Sequence, residues 1–142
     1  MLDVLLPAAH AAGVVTDHVV AGDDLPAGGR PGPYMALANV LALRIPDVRA
    51  CVKVDDTVPG IEEGRRAGMW CVGVALSGNE VGLGEAELKA LPDAEVARLR
   101  KRAAYRLEQS GAHFVIDTVA ELPAVLGEID QFMTRAVPAP VR

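Results

Sequence analysis

The chain has 142 residues, of which 51% are hydrophobic and 23% charged, and its net charge is −5 at pH 7. That is the size of one ordinary domain with one core, and the composition excludes a disordered chain. The acidic balance argues against sequence-independent nucleic-acid binding, and an aromatic content of 4% argues against a base-stacking platform.

Residues 2–12 read as a helix with Leu2, Leu5 and Leu6 on one side. Pro7 either interrupts it or marks a first turn, and Gly13 stops it. The stretch lacks the basic flank of a signal peptide, and no apolar run approaches the ~20 residues of a membrane span. His18–Ala21 reads as a short buried strand that ends in Gly22-Asp23-Asp24, followed by a Pro/Gly-rich loop through Pro33. Helical spacing of Met35, Leu37, Val40 and Leu41 predicts a helix over 34–43. Cys51–Val54 is the next strand and runs into Asp55-Asp56. Thr57 opens a helix that Gly68 ends. Trp70–Ala75 is a third strand. Helices follow near 85–90 and 93–110, then a strand over Phe114–Ile116 and a last helix from Thr118 to about Met133. Short apolar strands alternating with helices predict βαβ units and a parallel sheet, an α/β fold.

In such sheets ligands bind beyond the carboxyl ends of the strands, and both acidic pairs fall there. Asp55-Asp56 is the sharper signal. Adjacent carboxylates repel, and a hard cation such as Mg²⁺ offsets that repulsion. One carboxylate could ligate while the other orients a neighbour; equally, one could cap the helix while the other is solvated. Asp23-Asp24 precedes a flexible loop and is explained by an Asx-type turn. Arg30 sits in a Gly-Gly-Arg-Pro turn that suits a planar grip on phosphate, though a surface arginine has the same local sequence. Lys53 lies mid-strand, so either its head reaches a carboxylate or the strand is at a sheet edge. His10, His18 and His113 have no metal spacing and read as non-catalytic, and the basic run Arg98–Arg106 reads as a solvated helix face. Cys51 and Cys71 read as reduced core residues of a cytosolic protein.

Three segments carry a resemblance: Gly29–Leu37 with its GRP-x-P turn, Cys51–Gly64, and Ala67–Val74 with its GMW strand, followed by Ser77–Glu80. Gly111–Asp117 and Glu121–Pro123 add to it. Together these resemble phosphonoacetaldehyde hydrolase (phosphonatase), of the haloacid dehalogenase superfamily, over about residues 1–130. The resemblance implies a haloacid-dehalogenase-like Rossmannoid three-layer sandwich with a parallel sheet. It also implies Mg²⁺-dependent cleavage of the C–P bond of phosphonoacetaldehyde to acetaldehyde and phosphate, by an aspartyl nucleophile and a Schiff-base lysine. By position, Asp56 resembles a metal ligand with Asp55 beside it, and Arg30 resembles the cation that contacts the phosphoryl group. Residue Gly60 stands where many members of the superfamily carry a further acid.

The nucleophile, the Schiff-base lysine and the cap of that family have no counterpart here, so the resemblance implies an incomplete core that lacks its first two strands. Residues 1–133 read as the C-terminal part of the core domain and 134–142 as a frayed tail. The partner implied is a small phosphonate substrate, with no nucleic acid and no membrane, in the cytoplasm. The family's homodimer contacts involve the cap. The isolated chain is expected to be inactive. Two alternatives stay open: a piece of another superfamily phosphatase, and a non-catalytic α/β module.

Overall fold

The computed structural model describes residues 2–136; most of the expected frayed tail, Val137–Arg142, lies outside them. Among the described residues the sheet has three parallel strands, β1 (Val52–Asp55), β2 (Trp70–Val74) and β3 (Phe114–Ile116), in the order β1-β2-β3. Register is continuous, with Asp55 beside Gly73 and Val74 beside Ile116.

Alternation along β2 sorts its side chains between two helical layers. Cys71 and Ala75 pack with Ile61 of α3 (Val58–Ala67) and with Ala103 and Leu107 of α5 (Asp93–Gln109). Val72 and Val74 face the other way, onto Val125 and Ile129 of α6 (Leu122–Ala136). Ile61, Leu107 and Ile129 are fully buried, each a gain of about 2 kcal/mol over exposure. Gly73 permits the closeness of α5: a Cβ there would meet Leu107 at 3.0 Å. These three layers are the α/β arrangement expected.

Helix α2 (Tyr34–Ala42) packs against α3 through Ala36, Ala67 and Met69. Thr57 caps α3 by accepting the Gly60 N–H, and Gly68 ends it at φ 82°. Helix α4 spans Glu85–Ala90. The last helix begins with a 3₁₀ turn at Val119–Glu121 and continues to Ala136, three residues beyond the expected end.

The strand expected at His18–Ala21 is not formed. The segment runs as irregular backbone, with His18 and Val19 exposed. A parallel strand exists only through a neighbour's hydrogen bonds, and none of the described strands supplies them. Helix α1 (Leu2–Ala11) forms with Pro7 inside it, but its apolar side is uncovered, with Val4 76% and Leu5 53% exposed. No helix among the described residues is long and apolar enough to cross a membrane.

Candidate active site

Strand β1 ends on Asp55, and the chain turns at Asp56 and Thr57 into α3. The two carboxylates diverge at this corner. Asp55 shares its face of β1 with Lys53 and points under α3, where it is 8% exposed. Its Oδ1 accepts the Thr57 N–H at 3.1 Å and the Thr57 hydroxyl at 2.8 Å. Its Oδ2 faces Arg30 Nη2 at 3.1 Å and Lys53 Nζ at 3.3 Å. Asp56 turns the other way and is half-buried. Its Oδ2 accepts the Asn79 N–H at 2.9 Å, and among the described residues no hydrogen bond reaches Oδ1. Loop 77–84 comes that close because residue 78 is glycine: a Cβ there would lie 2.4 Å from the Val74 carbonyl oxygen and 2.6 Å from the Asp56 Cβ.

Helix α3 lies over this corner on its small residues. At Gly60 a Cβ would fall 2.0 Å from the Asp55 Cγ, and at Gly64 one would fall 2.6 Å from the Lys53 stem. The Asp55 carboxylate therefore fills the space that a side chain at position 60 would need. A strand-borne carboxylate stands beside the helix position where the resemblance expects an acid.

Arg30 reaches the corner from the loop before α2. Its Nε donates to Glu63 Oε2 at 3.1 Å, and the side chain stays 40% exposed. Lys53 Nζ donates to the same Oε2 at 2.8 Å. The other oxygen of Glu63 accepts the Ala36 N–H, in the first turn of α2, at 3.1 Å. Two cations and two carboxylates thus form one neutral, largely buried cluster. Removing one member of such a cluster costs about 3–5 kcal/mol, because the opposite charge is left uncompensated.

The structure brings Arg30 and Asp55 together and turns Asp56 away from both. Both readings of Lys53 hold among the described residues, since its head meets two carboxylates and β1 lies at an edge of the described sheet. The sequence reading missed Glu63. Its signal was the spacing Gly60, Glu63, Gly64, Ala67, a buried helical stripe of small residues with one acid facing a strand that carries a lysine.

Asp24 accepts the Ala21 N–H at 3.0 Å, closing its 3₁₀ turn backward rather than forward as an Asx turn would, and Cys51 is only half-buried. His113 accepts the Cys71 N–H at its Nδ1 and so ties β2 to the residue before β3. Arg106 of the basic run pairs with Glu80, whose other oxygen accepts the Val58 N–H at the start of α3. Burial pushes the Cys71 thiol up to about 11, as suits an inert core cysteine.

A cavity of about 300 Å³ lies beside β1, lined by Val52 and Lys53 on one side, by Val20 and Val40 on the other, and by Arg30 and Glu63. No family model matches the chain. It is 56% identical over 130 residues to phosphonoacetaldehyde hydrolase of Klebsiella pneumoniae, a match covering 92% of this chain and 48% of that protein. The enzyme of the same name from Vibrio vulnificus is 51% identical over 131 residues, with the same coverage. The match falls on the C-terminal part of these relatives. The chain is similar to these phosphonoacetaldehyde hydrolases over about 130 residues. It spans about half the length of the curated phosphonatases it matches.

A solved phosphonoacetaldehyde-hydrolase-like protein from Oleispira antarctica superposes with a TM-score of 0.89 at 46% identity, over 94% of this chain and 48% of that one. A haloacid-dehalogenase-like protein of unknown function from Agrobacterium tumefaciens gives a TM-score of 0.66 at 26% identity, over 91% of this chain and 50% of that one. The fold of this chain is thus haloacid-dehalogenase-like.

Proposed function

We propose that this chain is the metal-end and phosphate-end half of a phosphonoacetaldehyde hydrolase, which cleaves the C–P bond of phosphonoacetaldehyde to acetaldehyde and phosphate in the cytoplasm. The observation that carries the reading is Arg30, a half-exposed guanidinium docked on Asp55 and Glu63 at the carboxyl end of β1. A fixed cation there neutralises charge that spreads over the oxygens of a transferring phosphoryl group.

The relatives imply a divalent metal, and Mg²⁺ suits the donor chemistry at Asp56. Magnesium takes one or two carboxylates and keeps several waters. Asp56 offers one oxygen that no described residue engages, held in place by Asn79 through the other. Among the described residues no three His, Cys, Asp or Glu side chains gather into a metal cluster, and the free oxygen of Asp56 is the one we assign to the cation. When bound, the cation adds charge neutralisation at the phosphoryl oxygens. Asp55 is not a ligand in this reading, because both its oxygens are committed to Thr57, Arg30 and Lys53.

The nucleophilic aspartate and the Schiff-base lysine come from outside this chain. Lys53 is held by two carboxylates, and Lys89 and Lys101 lie on α4 and α5. The test is acetaldehyde release from phosphonoacetaldehyde with Mg²⁺, for the chain alone and with a separately made N-terminal half of the Klebsiella relative. We expect none alone and turnover from the pair. Robust turnover by the chain alone would sink the division of labour. Equal turnover of a generic phosphate ester by the pair would favour a broader superfamily phosphatase.

A further inference from the structure

Glu63 is fully buried, and the chemistry proposed above assigns it no contact with substrate or metal. Its carboxylate collects donors from three separate segments: the Arg30 loop, the first turn of α2 and strand β1. Stability alone is a poor account of it. Desolvating such a cluster takes several kcal/mol, and apolar side chains of the same volume often serve packing as well or better.

The geometry at Arg30 gives a better account. A guanidinium has five N–H groups in one plane. Nε donates to Glu63, and Nη2 faces Asp55. These two nitrogens flank one edge of the plane, and the carboxylates that engage them come from a helix and a strand. A hydrogen bond from the helix and an ion pair from the strand hold the fork between two elements. Nη1 is engaged by no described residue, and the side chain is 40% exposed. Lys53 shares the Glu63 oxygen, so Glu63 also holds the ammonium in place and offsets its repulsion of the guanidinium.

We propose that Glu63 is a positioning residue for Arg30. It holds the guanidinium through Nε so that Nη1 stands ready for an oxygen of a phosphoryl group, a role that rests on the phosphoryl reading of Arg30. A donor fixed in advance needs no reorganisation when charge develops, which is where such donors gain their effect.

The experiment is ¹⁵N NMR of the arginine side chains in the full chain, with the Arg30 Nε–H assigned through Arg30→Lys. That proton should exchange slowly in the parent and about tenfold faster in Glu63→Gln. A double variant, Glu63→Gln with Lys53→Met, removes one charge of each sign and guards against loss of the fold. It should keep the parent's backbone spectrum and show the same fast exchange. Slow exchange in the folded double variant would overturn the proposal, and so would its failure to fold, since Glu63 would then be structural only. Titration with inorganic phosphate separates the two readings. Arg30 side-chain shifts in the parent, weakened about tenfold in the double variant, support both. A protected Nε–H that ignores phosphate supports Glu63's hold on Arg30 and overturns the phosphoryl reading instead.

Discussion

The dipeptide Asp-Asp occurs twice in this chain, and its two copies have different fates. Asp23-Asp24 lies in an exposed 3₁₀ turn, where one carboxylate closes the turn on Ala21 and the other meets solvent. Asp55-Asp56 lies at a sheet corner under a helix. There one carboxylate is drawn into a buried charge cluster, and the other is held outward by a loop N–H. The dipeptide is the same, so the difference lies in its flanks, where Thr57 rather than Leu25 follows, and in what packs above it. The first pair has a Pro/Gly loop around it. The second has α3, whose glycines leave room for a carboxylate and a lysine stem.

The comparison breaks most readily at Asp56. In the completed enzyme Asp56→Asn should remove metal-dependent turnover, whereas Asp23→Asn should stay within about threefold of the parent in kcat/KM. Equal losses from both would mean that the wrong pair had been chosen. Arg30→Lys comes next. A lysine cannot present a planar fork, so kcat/KM should fall about a hundredfold, or ~3 kcal/mol. Steady-state kinetics on the complemented enzyme checks both.

Glycines beside each pair sharpen the contrast in stability. Gly60→Ala drives a Cβ into the Asp55 carboxylate and should destabilise the chain by about 3 kcal/mol in urea unfolding. Gly22→Ala beside Asp23 meets nothing closer than 3.6 Å and should stay within about 0.5 kcal/mol. The smallest effect expected is at Cys71, under α3 beside Lys53. Its thiol is raised from the ordinary 9.0 to about 11, so the folded chain holds that proton where the unfolded chain releases it. The stabilisation is complete below about pH 9 and is lost as pH rises toward about 11. Cys71→Ala should remove that alkaline slope from a pH series of unfolding curves.

The sequence alone determined the elements that are stable through local pattern. Short apolar runs marked β2 and β3, and β1 was marked by its valines on either side of Lys53. Helical spacing with Thr57 and Gly68 as caps marked α3, and the carboxyl end of β1 as the site followed from the parallel topology. Two matters were left to the tertiary structure. The segment His18–Ala21 has the composition of a strand, but a strand is a relation to a neighbour, and the described sheet offers it none. The division of work between Asp55 and Asp56, and the part played by Glu63, depended on α3 crossing β1 at two glycines. That contact brings residues 30, 53, 55 and 63 within hydrogen-bonding or ion-pairing distance of one another, and no periodicity along the chain encodes such a distance.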